Sequence, residues 1–185
     1  MDNIKQAIET IKKGGTLLYP TDTIWGIGCD ATNEEAVEKV IQLKSRGKEK
    51  SFIILVDSVN RLERLVPEFP EVCYDLIDFA IKPLTIIYEG VQGLAKNVLA
   101  ADGSVGIRVT NDPICKKIIQ GLNKPIVSTS ANFSGEPSPT RFADIPEALK
   151  DKIDYILEER ISEIRTQPSS VIKIGKNNSV QIIRK

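Results

Sequence analysis

The sequence contains no histidine, one tryptophan, one methionine and three cysteines in 185 residues. Without histidine, Ser-His-Asp and Cys-His nucleophilic arrangements, His-ligated zinc and imidazole general bases are excluded. Whatever chemistry the chain performs must use Lys, Arg, carboxylates, hydroxyls, backbone groups or a bound ion. Cys29, Cys73 and Cys115 are odd in number and far apart, and they form no C-x-x-C pair. They read as small buried hydrophobes in a reducing cytosol. Net charge is absent too, because Lys plus Arg and Asp plus Glu are each 25. Bulk charge therefore argues against a strongly basic nucleic-acid binder and leaves room only for a local basic face. No apolar run reaches the roughly 18 residues that a membrane span needs. The polar start Met1-Asp2-Asn3-Ile4-Lys5 lacks the apolar core of a signal peptide. The expectation is a cytoplasmic protein with no membrane association.

What is present has the balance of a soluble globular chain: 41% hydrophobic and 27% charged residues. The length suits one domain over residues 1–185. Such a domain buries roughly 70% of its unfolded surface and needs no disulfide or metal to fold.

Hydrophobic periodicity predicts a helix over residues 2–13, capped by Asp2 or Asn3 and ended by Gly14-Gly15. A buried strand at 16–19 and a loop from Thr21 to Ala31 follow. A second helix starts at a capping box, Thr32-Asn33-Glu34-Glu35, and ends near Lys44 to Gly47. The run Phe52-Ile53-Ile54-Leu55-Val56 is too continuous for a half-exposed strand and predicts a central one, covered on both faces. Helices are expected from Asp57 or Ser58, over 70–80, over 112–121 with Pro113 in the first turn, and near 146–150. Further strands are expected at 84–88, 105–109, 125–128, 154–157, 170–174 and 180–183. Strands alternating with helices give the α/β class. Adjacent strands without an intervening helix make the sheet mixed parallel and antiparallel.

Four segments are polar where their surroundings are structural. Tyr19-Pro20-Thr21-Asp22-Thr23-Ile24-Trp25-Gly26 follows a buried strand, where ligands of open α/β sheets bind. It reads equally as a turn whose Thr and Asp side chains satisfy their own backbone. Lys44-Ser45-Arg46-Gly47-Lys48-Glu49-Lys50 is either a solvated helix end or a phosphate clamp. Ser128 to Thr140 brings six Ser/Thr hydroxyls and Asn132 directly after a strand, a composition suited to phosphate oxygens. Arg108 lies inside the apolar strand Val105-Gly106-Ile107-Arg108-Val109 and requires an anionic partner, from the protein or from a ligand. No Walker or dinucleotide-binding fingerprint is present, since Gly26-Ile27-Gly28 lacks a third glycine and a helix start. The residues alone indicate an anionic, phosphorylated ligand.

In this order, the segments resemble the YrdC-type threonylcarbamoyl-AMP synthase family in its short, single-domain form. The resemblance rests on Tyr19–Thr23, Lys44-x-Arg46, Gly106–Arg108, Ser130-x-Asn132 through Thr140, Pro168–Val171 and Arg184. It implies a twisted mixed sheet flanked by helices, with a positively charged cleft. It implies ATP contacts from Lys44, Arg46, Lys50, Ser104, Ser130, Asn132, Ser138 and Arg184, with Lys44 and Arg46 serving catalysis. Threonine contacts are implied from Thr23, Arg108, Ser128 and Ser170, with Arg108 on the threonine carboxylate. The implied reaction joins L-threonine, bicarbonate and ATP into threonylcarbamoyl-AMP and pyrophosphate, with Mg2+ carried by ATP. The product serves a downstream threonylcarbamoyl transferase complex that modifies adenosine next to the tRNA anticodon. Asp22 is assigned near the threonine amine or the metal. Gly47, Ser51-Phe52, Leu55 and Ile81-Lys82-Pro83-Leu84-Thr85 depart from the family pattern. Two rival readings share the fold: a non-catalytic double-stranded RNA or tRNA binder, and a carbamoyl-adenylate enzyme with another acceptor.

Overall fold

The computed structural model describes residues 2–44, 52–175 and 179–185. Helix α1 (Asn3–Lys12) leads into strands β1 (Leu17–Tyr19) and β2 (Gly26–Gly28), then α2 (Glu34–Leu43) and β3 (Ile53–Val56). The short helices α3 (Val59–Leu65) and α4 (Val72–Asp78) precede β4 (Leu84–Tyr88) and β5 (Val105–Val109). Next come α5 (Pro113–Leu122), β6 (Ile126–Ser130), α6 (Glu147–Lys150), β7 (Tyr155–Ile156), β8 (Ser170–Ile174) and β9 (Val180–Arg184). The strands form one sheet in the order β7-β1-β2-β6-β3-β5-β4-β8-β9. The pairs β1·β7, β3·β5 and β4·β8 are parallel and the others antiparallel, so the sheet is mixed as expected.

Local chemistry sets the element ends. Asp2 caps α1 by accepting from the Ile4 amide, Ser58 caps α3, and Asp112 accepts from both Ile114 and Cys115 at the start of α5. Gly14, at φ +75°, turns the chain out of α1. The expected capping box at α2 is replaced by a split arrangement. Asn33 is the cap and accepts from the Ala36 amide, while the Thr32 hydroxyl and amide both turn to Asp30 Oδ1. The loop expected over 21–31 contains β2. Gly-Ile-Gly carries no apolar run, and its extended conformation comes from pairing with β1 on one side and β6 on the other.

The sheet's two faces are covered unequally, and this creates the site. On one face Ile27, Ile54, Val56, Ile86, Ile107 and Val127 pack under α2, α3 and α4. On the other, Leu17, Tyr19, Leu55 and Ile126 pack under α1 and α5. β3 is the middle strand of the nine and contributes Ile54 and Val56 to one core and Leu55 to the other. Burial on both faces is the reason its sequence reads as continuous rather than alternating. The second face changes character along the strands. Past Leu55 and Ile126 its residues are Ile53, at the margin of that core, and then Gly106, Ser128 and Ser130, which belong to neither hydrophobic cluster among the described residues.

Tyr19 lies across Gly28, and its hydroxyl donates to the Val127 carbonyl at 3.2 Å. A Cβ at Gly28 would stand 2.3 Å from that carbonyl oxygen and 2.9 Å from the Tyr19 ring. Gly28→Ala is expected to destabilise the protein by about 2–3 kcal/mol, the upper range of over-packing, because the carbonyl cannot rotate away. Urea unfolding measures this, and a midpoint equal to the parent's would show that β2 is free to shift.

Candidate functional site

The uncovered part of the sheet is the floor of a cleft of about 300 Å3. Gly26, Ile53, Ser128 and Ser130 form the floor. Thr23, Ile24 and Trp25, with Ser138, Pro168, Arg108, Ser169 and Arg184, complete its lining. Gly26, Ser128 and Ser130 keep the floor low because they carry little or no side chain. Trp25 is fixed by packing against Phe142, with ring centroids 5.0 Å apart. Among the described lining residues the charged groups are the two guanidinium groups of Arg108 and Arg184, and no carboxylate lines the cleft.

Arg108 is only 3% exposed. Its Nη2 donates to Asp22 Oδ1 at 3.0 Å and lies 3.4 Å from Thr23 Oγ1. Asp22 is held in turn by the Thr110 hydroxyl at 3.3 Å. The Thr21 hydroxyl lies 2.9 Å from that of Thr23 and donates to the Ile24 carbonyl at 2.7 Å. The turn reading of the 19–26 segment holds for its threonines but not for Asp22, which turns to Arg108 and Thr110 instead of its own backbone. Its Thr side chains satisfy the local turn, and its carboxylate supplies the protein partner that a buried Arg requires. Among the described residues Arg108 Nε, which is buried, has no hydrogen-bond partner.

Lys44 departs from the expected picture of an exposed helix end. It is 2% exposed. Its ammonium donates to the carbonyls of Ser130 at 2.5 Å and Asn132 at 2.7 Å, and reaches Asn132 Oδ1 at 3.3 Å. Its own carbonyl accepts from the Ser134 amide. Asn132 completes the lock by donating from Nδ2 to the carbonyls of Phe133 and Glu136. The helix end and the Ser-rich loop after β6 are thus one unit, tied by a buried cation.

Arg184 is brought to the cleft by an irregularity in β9. The β8·β9 register runs Ile174↔Val180, Lys173↔Gln181 and Ile172↔Ile182, and then Val171↔Arg184. Ile183 is the extra residue of a bulge. In a regular ladder Ile183 would oppose Val171, and Arg184 would face the other side of the sheet. The guanidinium Nε donates to the Ser169 carbonyl at 2.9 Å and Nη2 to the Ser169 hydroxyl at 3.3 Å. Burial, and then the nearby Arg108 charge, push Arg184 down from its ordinary pKa. Two like charges facing one cavity make it a place for anions.

The Sua5/YciO/YrdC family pattern, described as "Telomere recombination", matches residues 9–185. This chain belongs to the Sua5/YciO/YrdC family. Threonylcarbamoyl-AMP synthase of Pseudoalteromonas translucida is 31% identical over 180 residues, covering 96% of this chain and 95% of the relative. Among solved structures, P. abyssi Sua5 complexed with L-threonine superposes with a TM-score of 0.81 at 29% identity, over 92% of this chain and 50% of that one. A double mutant of P. abyssi Sua5 gives 0.89 at 28% identity, over 100% of this chain and 57% of that one.

Of the residues singled out by the family resemblance, Thr23, Arg108, Ser128, Ser130, Ser138 and Arg184 meet in the cleft. Lys44 and Asn132 stand behind its wall as a clamp. Ser104 and Ser170 do not line it. The Ser104 hydroxyl and amide both turn to Asp102 Oδ1, and Ser170 opens on a separate hollow under Phe79 and Ile81. Ser169 takes the cleft position instead. Strand alternation puts neighbouring side chains on opposite faces, and the Pro168–Val171 motif does not say which serine faces in. Arg46, Gly47, Lys50 and Ser51 lie outside the described residues. Leu55, the other departure, belongs to the core under α1 and α5. The three cysteines are buried and free, as expected. Among the described residues no helix is long and apolar enough to cross a membrane.

Lys44→Ala leaves the carbonyls of Ser130 and Asn132 without their cation. Stability is expected to fall by about 1–3 kcal/mol, the cost of stranding buried acceptors. Thermal or urea unfolding checks this, and an unchanged midpoint would return Lys44 to the class of solvated helix ends.

Proposed function

We propose that this protein is an L-threonylcarbamoyladenylate synthase, a nucleotidyltransferase acting on L-threonine, bicarbonate and ATP in the cytoplasm. The observation that carries the reading is the pair of guanidinium groups, Arg108 and Arg184, in one cleft without a lining carboxylate among the described residues. Two cationic poles suit a reaction that brings an amino-acid carboxylate and a polyphosphate together. The name of the curated relative and its near-complete coverage of this chain agree with that assignment.

Arg108 is the pole for the threonine carboxylate. One side of its guanidinium is held by Asp22, and Arg108 lines the cleft, where a ligand carboxylate would meet its charge. Thr23 and Ser128 border the same place. Arg184, together with Ser130 and Ser138, faces the nucleotide phosphates, and the resemblance adds Arg46 and Lys50. The three ammonium protons of Lys44 already have oxygen acceptors. Its contribution is to hold the phosphate-facing loop in shape and to lend positive charge. The resemblance assigns Arg46 to the transferring phosphate.

Threonine's amine reacts with bicarbonate to give the carbamate and water. A carbamate oxygen then forms a bond to the α-phosphorus, and the bond to the bridging oxygen breaks. Pyrophosphate carries away the electron pair. No protein nucleophile is required, in keeping with a chain that has no histidine. The cleft orients two reactants and offsets charge on the phosphates. Mg2+ carried by ATP would supply further neutralisation of negative charge, and the hydroxyls of Ser130 and Ser138 in the cleft would suit a hydrated ion. The product passes to the tRNA-modifying transferase.

Pyrophosphate release is expected to require both threonine and bicarbonate. Release that persists without threonine, or that is equal with serine at the same concentration, contradicts the assignment; so does binding of tRNA or double-stranded RNA with no turnover. Arg108→Ala is expected to raise the threonine requirement more than the ATP requirement. Arg184→Ala is expected to weaken ATP binding roughly tenfold, or about 1.4 kcal/mol, while Lys185→Ala leaves it unchanged. Titration calorimetry with each ligand separately checks both.

A further inference from the structure

Arg184 lies on β9, a sheet edge whose residues are all exposed. An arginine on such a strand has many rotamers, and fixing it costs side-chain entropy. Among the described residues Ser169 holds its guanidinium, through the carbonyl to Nε and the hydroxyl to Nη2. The orientation of the Ser169 hydroxyl therefore matters, and one further residue sets it. Thr85 Oγ1 lies 2.8 Å from Ser169 Oγ, and both residues are 1% exposed. A hydroxyl has one proton and two lone pairs. Because Arg184 Nη2 is a donor, Ser169 must accept from it, and its own proton is free to go to Thr85.

From this geometry we infer that Thr85 is a positioning residue for nucleotide binding, acting through Ser169 to hold the Arg184 guanidinium toward the cleft. Thr85 does not line the cleft, so any effect on a ligand there must be relayed. Its own place is determined by the sheet. Thr85 pairs with Val171, and its methyl would be 2.9 Å from a Cβ at Gly106. Glycine at 106 is therefore what lets a β-branched hydroxyl residue stand beside it. Val171 is also the residue opposite Arg184 across the bulge. Thr85, Val171 and Arg184 thus share one face of three neighbouring strands, and Ser169 just precedes β8 beside them. The inference rests on the reading that Arg184 contacts the nucleotide, and the test separates the two.

Thr85→Val keeps the shape and removes the hydroxyl. Thr85→Ser keeps the hydroxyl. ATP and threonine binding are measured by titration calorimetry for both variants, for Arg184→Ala, and for the Thr85→Val/Arg184→Ala double variant, with unfolding midpoints recorded alongside. Thr85→Val is expected to weaken ATP binding about three- to tenfold, the effect of one lost hydrogen bond. Threonine binding should stay at the parental value, and Thr85→Ser should restore most of the ATP affinity. In the Arg184→Ala background, Thr85→Val should cost nothing further. If Arg184→Ala weakens ATP binding while Thr85→Val does not, the relay is wrong and the nucleotide reading stands. If Arg184→Ala itself leaves ATP binding unchanged, the nucleotide reading at this position fails and the relay with it. An equal penalty for Thr85→Val with and without Arg184 overturns the relay in favour of a general packing role.

Discussion

A guanidinium placed in the middle of a sheet must be paired, because removing a charge from water without a partner costs several kcal/mol. Arg108 imposes that requirement here. Its carboxylate partner cannot come from its own strand neighbours, which are apolar, so the segment after β1 folds over the strand ends and delivers Asp22. Thr23 and Trp25 arrive with it and become a wall of the cleft. β2 then runs back between β1 and β6, and Gly26, with no side chain, leaves the floor open. One ion pair therefore links the entry loop, the central strands and the shape of the cavity.

A second buried cation does comparable work beside the cleft. Lys44 donates to the main-chain carbonyls of Ser130 and Asn132, and so ties the end of α2 to the loop after β6. Arg108 shapes the entry loop through a carboxylate, and Lys44 shapes the Ser-rich loop through backbone oxygens.

Most of the sheet was legible in the sequence, because buried strands such as Ile53–Val56 and Val105–Val109 announce themselves by apolar continuity. β2 was not, since Gly-Ile-Gly owes its extension entirely to its neighbours. The site was legible as a set of polar segments in structural surroundings, and the Arg108 anomaly pointed to its centre. Three features were hidden. The burial of Lys44 depends on carbonyls some 86 residues away in sequence. Which of Ser169 and Ser170 faces inward depends on strand register. The outward or inward aim of Arg184 depends on a bulge at Ile183, which no propensity in Val180–Lys185 signals. Each is a long-range or register property, and local periodicity carries no information about it.

The glycine and serine floor restricts how such a protein can change its substrate. A cavity lined by large side chains can be reshaped by trimming them one at a time. Here much of the base of the cavity is close to bare backbone, and any enlargement at Gly26, Ser128 or Ser130 fills space instead of opening it. New substrate preference has to come from the rim: the 21–25 turn, the loop after β6 and the segment leading into Pro168. Those parts lie outside the regular strands and tolerate substitution and length change far better than the sheet does. Members of this family with different acceptors would then differ at the rim while sharing a nearly invariant base.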